Sequence, residues 1–150
     1  MVILFSERKS KTEREIIKIL CGYGAGYISD KAITGGASSF TLVSEYKKTD
    51  IKLKSCIAVF TEETDRFNGQ SFPPCTVGIC EDRNQKALEL FKNSRIPVIS
   101  CGMSAKNTVT LSSLNSTSLL AALQRTVTDC RGNAVDPGEF KIKLTGSYTP

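Results

Sequence analysis

Apolar residues along this chain fall into short runs separated by polar turns, and two periodicities can be told apart. Val2-Ile3-Leu4-Phe5 is continuous and too short for a helix, which predicts a strand. Ser10-Lys11-Thr12-Glu13 has the S-x-x-E form of a capping box, in which the serine oxygen and the glutamate carboxylate satisfy free backbone N–H groups at a helix start. Ile16, Ile17 and Leu20 then share one helical face, and Gly22 and Gly24 can end it, so the spacing predicts a helix over 11–21.

The glycine- and serine-rich stretch 21–39 reads as turns around one weak strand over 27–33, and Phe40-Thr41-Leu42-Val43-Ser44-Glu45-Tyr46 as a further strand. Continuous apolar runs at 56–60, 76–80 and 97–101 suit strands covered on both faces, as in a parallel sheet. Between the last two lies a helical pattern. Asp82 is placed to cap it, with Gln85 three residues on and Ala87, Leu88, Leu90 and Phe91 on the buried side. Strand, helix and strand form a βαβ unit whose crossover is expected to be right-handed.

Residues 107–111 alternate as a strand would. Asn115 or Ser116 is then read as capping a third helix, with Leu119, Leu123 and Val127 repeating every four residues. Turn chemistry at 131–133 and 136–138 leads to a last strand over 139–144. There Phe140, Ile142 and Leu144 alternate with Lys141 and Lys143, the pattern of an edge strand that can pair across a homodimer. No repeat or linker divides the chain. The expectation is one α/β domain over 1–150, a layered α/β/α build with a mixed, largely parallel sheet and about three helices.

At 150 residues, 40% hydrophobic and 23% charged, the composition is that of an ordinary globular domain. No apolar run approaches the ~20 residues of a membrane helix, and the N-terminal run is too short for a signal peptide, so a cytoplasmic location is expected. The net charge of +5 is dispersed and aromatic residues are few, which favours a solvated basic surface over a nucleic-acid groove. Several of the six cysteines sit inside apolar runs and are read as buried thiols. Without any histidine, the Cys75-x4-Cys80 pair makes a poor zinc site.

In open α/β sheets, ligands bind beyond the carboxyl ends of the strands. That rule selects the loops at 61–66, 81–84 and 102–107, and within them Glu81, Asp82, Asn84, Gly102, Ser104, Lys106 and Asn107 as candidate ligand-binding residues. The carboxylates suit Mg²⁺ and Lys106 suits a phosphate. The competing reading makes Asp82 a helix cap, the glutamates solvated and Gly102 a turn. Cys101 ends a strand near Lys106, a setting that favours a thiolate, but no histidine exists to serve a Cys/His hydrolase. The glycines at 22, 24 and 26 follow a helix rather than precede one, and no G-x-x-x-x-G-K-[ST] occurs, which argues against a phosphate loop there.

Val77-Gly78-Ile79-Cys80-Glu81-Asp82-Arg83-Asn84 and Pro97-Val98-Ile99-Ser100-Cys101-Gly102 sit in a stretch, 75–113, that resembles the later part of the central domain of Mur ligases. The resemblance implies a strand–helix–strand unit with the 81–84 loop near a nucleotide. It also implies a remnant that binds without catalysing, because that family's phosphate loop and its histidine and lysine pattern are missing here. The functional expectation is a non-catalytic domain binding a small anionic ligand or a protein partner. The rivals are a phosphate-handling enzyme using Mg²⁺ and a thiol enzyme using Cys101.

Overall fold

The computed structural model describes residues 1–8, 10–35, 40–63, 65–114, 118–129 and 132–143. The chain divides into two units, Met1–Val98 and Ile99–Pro150. In the first, β1 (Val2–Phe5) leads to α1 (Lys11–Gly22), and β2 (Gly26–Ile28) and β3 (Ile33–Thr34) follow as a small hairpin. The weak strand expected over 27–33 is broken by a turn in which Ser29 Oγ accepts from the N–H groups of Lys31 and Ala32. Then come β4 (Thr41–Glu45), β5 (Ser55–Phe60), β6 (Cys75–Glu81) and α2 (Gln85–Asn93). The strands lie in the order β6-β5-β1-β4-β2-β3, and every pair is parallel except β2 with β3.

β1 is buried on both faces, which is why its sequence shows no alternation. Ile3 and Phe5 point into a core with Cys56, Ala58, Phe60, Phe67, Cys80, Ala87 and Phe91, while Leu4 and Leu42 are fully buried outside that cluster. Phe5 stacks on Phe60 with centroids 4.6 Å apart, and Phe67 meets Phe5 and Phe60 edge-on at 5.1 and 5.5 Å. Phe91 of α2 closes on Phe60 at 5.3 Å. This approach depends on Gly78 of β6: a Cβ there would stand 2.6 Å from the Phe91 ring. The Gly78 N–H donates to the carbonyl of Pro97 at 2.9 Å, which fixes the return of the chain beside β6.

The first helix starts as expected, Ser10 Oγ accepting from the Glu13 N–H at 3.3 Å, but only half of the capping box forms. The Ser10 N–H donates to Glu7 O instead, and the Glu13 side chain turns inward. At the other end Gly24 takes φ +85°, and the Ala25 N–H closes onto Leu20 O at 3.0 Å, the left-handed stop anticipated from the glycines.

In the second unit β7 (Val98–Gly102), which begins at the boundary, pairs in parallel with β8 (Val109–Leu114). The segment expected to be a third helix is a strand, β9 (Ser118–Leu123), antiparallel to β8 on one side and to β12 (Gly138–Lys143) on the other. Ala121, Ala122 and Leu123 are all buried, so β9 is covered on both faces and its apolar run carries no period-2 signal. Asn115 and Ser116, the expected caps, lie outside the described residues. β10 (Val127–Thr128) and β11 (Ala134–Val135) form a separate two-stranded ribbon. The described residues thus hold two α-helices rather than about three, in a mixed α/β chain whose strand pairs are mostly parallel in the first unit. Among the described residues β12 pairs with a strand on one side only, as its alternation predicts; Leu144, the last position of that alternation, lies outside them. Cys21, Cys56, Cys75, Cys80 and Cys101 are free thiols. No described helix is long and apolar enough to cross a membrane.

Gly78→Ala forces the Phe91 ring to move within a filled core. It should cost about 2 kcal/mol, read as a melting temperature lowered by roughly 4–8 °C.

Candidate functional site

Parallel pairing brings the carboxyl ends of β1, β2, β4, β5 and β6 to one rim of the first unit. The loops at 62–66 and 81–84, both selected from the sequence, meet there, and their polar groups are largely engaged with each other. Asn84 is the residue that joins them. Its Oδ1 accepts from the Ala87 N–H at 3.0 Å as the N-cap of α2, and its Nδ2 donates to Glu62 O at 3.0 Å. Asn84 rather than Asp82 therefore caps the helix, because its amide offers a donor and an acceptor at once, whereas a carboxylate only accepts. Asp82 is half-buried and its carbonyl receives the Gln85 side chain at 3.0 Å; Glu81 is exposed, with its carbonyl accepting from the Asn84 N–H.

Beside them, Glu62 Oε2 accepts from the Glu7 N–H at 2.8 Å, and Arg66 Nη2 lies 3.4 Å from Glu7 Oε1. Lys86 and Asp65 pair at 2.6 Å, and that hydrogen bond first of all lowers the Asp65 pKa and raises that of Lys86. Both groups are at the surface, where such a pair contributes little.

The candidates at 102–107 belong to the second unit. Ser104 Oγ accepts from the Lys106 N–H at 3.3 Å, and the Asn107 N–H donates to Ser104 O at 3.0 Å, which builds a turn. Asn107 is 4% exposed, while Ser104 and Lys106 are exposed. Arg125 Nη2 donates to Lys106 O at 2.7 Å, and Gly102 and Cys101 are half-buried at the end of β7. Among the described residues no group of carboxylates and thiols is assembled that could hold a metal ion.

The open part of the rim lies elsewhere, at the ends of β1, β2 and β4. A cavity of about 420 Å³ is lined there by Arg8, Asp30, Glu45, Tyr46, Lys47 and Arg66, with Ile28, Ser29, Val43 and Ser44. Arg8 pairs with Asp30 at 2.6 Å and sets its guanidinium 5.2 Å from the centre of the Tyr46 ring, within cation–π range. Burial pushes the Tyr46 phenol pKa up, helped by its hydrogen bond to Glu13 and the charge of that carboxylate. Tyr27 Oη donates to Ser44 Oγ at 3.2 Å in the same network. Glu13 is 2% exposed, and its Oε1 has no hydrogen-bond partner among the described residues; the fully buried Ser6 Oγ is in the same position. Burial also raises the pKa of Glu45, with Lys47 opposing the shift and Asp30 adding to it.

Arg8, Tyr46 and Lys47 were not singled out from the sequence, where the dispersed positive charge read as a solvated surface. Tyr46 and Lys47 directly follow β4 and Arg8 comes three residues after β1, so the strand-end rule applied to these two strands would have found them. No protein-family model matches this chain, and no curated protein matches it.

Asn84→Ala removes both a cap and a tie between loops. It should lower unfolding free energy by about 2 kcal/mol in a urea titration at unchanged slope. Asn84→Ser, which keeps the cap acceptor alone, should recover about half of that.

Proposed function

We propose that this chain is a cytoplasmic binding module of layered α/β/α build that takes a small anionic ligand at the strand-end cavity of its first unit. One observation carries the reading: three cations from three separate loops, Arg8, Lys47 and Arg66, line the same cavity at the carboxyl ends of parallel strands. Its volume falls in the range typical of small-molecule sites. Tyr46 forms part of the wall, with the Arg8 guanidinium over its ring.

Two of the cations are held in place by carboxylates, Arg8 by Asp30 and Arg66 by Glu7, so their guanidinium groups are pre-positioned rather than free to collapse onto the ligand. An incoming phosphate or carboxylate takes Lys47 first and shares the two arginines with those partners. Guanidinium groups suit such planar or tetrahedral anions because they can bind through two N–H groups. The resemblance of 75–113 to the Mur ligase central domain accords with a fold that retains binding at its strand ends. The sequence has no histidine to carry acid–base work. No observation favours the Mg²⁺-dependent or Cys101-dependent enzyme over this reading.

A thermal-shift series with inorganic phosphate, adenosine monophosphate and a sugar phosphate tests it. A ligand at about a hundred times its dissociation constant should add about 2.7 kcal/mol, a rise of roughly 5–10 °C for a chain of this size. Lys47→Gln with Arg66→Gln should abolish the rise and leave the melting temperature of the free protein close to normal. If replacing Asp82, Lys106 and Asn107 together abolishes it instead, the cavity is not the site.

Binding should also depend on pH through Glu45. Its raised pKa means that acidification neutralises a negative charge in the cavity, so affinity for sulfate, whose charge is constant, should rise as pH falls through the weakly acidic range. The same shift makes the folded state hold a proton that the unfolded state has released, so the contribution of Glu45 to stability falls as pH rises through that window. Glu45→Gln should flatten both dependences.

A further inference from the structure

β12 is the outermost strand of the second unit. One side pairs with β9, and among the described residues no strand pairs with the other. Such an edge presents free N–H and C=O groups to any strand that can match it. Residues opposite each other on paired strands share a face, so Leu111, Ala121 and Phe140 form a row running straight across β8, β9 and β12. On that row Ala121 is buried between Leu111, 37% exposed, and Phe140 at the edge, 49% exposed; Ile142, on the same face of β12, is 46% exposed. The other face of β12 carries Glu139, Lys141 and Lys143, all exposed. The edge is therefore apolar on one face and charged with both signs on the other.

We propose that this edge is completed by a second copy of the chain, β12 pairing antiparallel with its counterpart about a two-fold axis at Phe140. In that register Phe140 meets the partner's Phe140, and Glu139 stands opposite the partner's Lys141. Because a two-fold interface repeats every contact, the Glu–Lys pair occurs twice, flanking one aromatic pair at the centre. Gly138 faces the partner's Ile142, and the ladder ends where Pro137, which has no N–H, comes opposite the partner's Lys143. The charge pattern selects this register. Shifting the axis by one residue would set Lys141 directly against the partner's Lys141, a like-charge pair that destabilises a sheet.

Sedimentation velocity on the full chain tests the pairing. A species of twice 16.3 kDa should appear with rising concentration and dissociate on dilution, since a single strand edge is a small interface. Glu139→Lys and Lys141→Glu, each alone, should weaken the dimer by about tenfold or more, and the two together should restore it. The double variant is decisive, because with the axis at Lys141 the exchanged charges would face like charges and dimerisation would stay lost. Far-UV circular dichroism checks that each variant is folded. Phe140→Thr, which keeps strand preference and changes no charge, gives the same loss if a charge variant fails to fold. A monomer at every concentration, a dimer indifferent to the single reversals, or one not restored by the exchange would overturn the proposal.

Discussion

Val2–Phe5 is paired in parallel on both sides, with Leu42–Glu45 of β4 and with Ile57–Phe60 of β5, and its interior side chains are buried on both faces. Four residues can hold this place only because they are almost wholly apolar and because each neighbour supplies a full ladder of hydrogen bonds. The position of β1 decides the rest. Strand order reverses around it, β4 and β2 lying on one side and β5 and β6 on the other, and the crevice of an open α/β sheet forms at such a reversal. Ser6–Arg8 therefore emerges in the middle of the rim, between the loops of its two neighbours.

That rim is divided in its chemistry. On the β5 and β6 side, backbone and side-chain groups engage one another: Glu62 receives Glu7 and Asn84, and Asp65 receives Lys86. On the β4 side, Arg8, Lys47 and Tyr46 surround a hollow, because β2 and β3 are short and their hairpin does not fill the space beyond the strand ends. Both signs of charge occur on each side: Lys86 is tied to Asp65 beside the β5 and β6 loops, while Asp30 and Glu45 line the hollow together with Arg8, Lys47 and Arg66.

The legible parts of the fold were those in which one element satisfies its own signal. The apolar runs at 56–60 and 76–80 lie in β5 and β6, where buried and half-buried positions alternate and neither face of the run is fully exposed, and the run at 97–101 overlaps β7, which is half-buried throughout. The helices at Ser10 and after Asn84 start where a side-chain oxygen can reach a free N–H. Ser118–Leu123 was misread because leucine and alanine satisfy a helical stripe as readily as a buried strand, and the deciding factor is the pairing with β8 and β12, which no local window contains. The cap at Asn84 was likewise hidden: Asp82 and Asn84 are equivalent as acceptors, and only the carbonyl of Glu62, twenty-two residues away, makes the amide the better choice.

Aromatic residues are sorted by side. Phe5, Phe60, Phe67, Phe72 and Phe91 interlock on the α2 side of the first unit's sheet, whereas Tyr27 and Tyr46 join Ser44 and Glu13, and Tyr23 is 81% exposed. With no tryptophan in the sequence, the intrinsic fluorescence of this unit comes from tyrosines that all lie away from its phenylalanine core. Tyrosine emission from this unit thus reports on the polar side and on the hollow beside Tyr46 rather than on the phenylalanine packing that holds the sheet together.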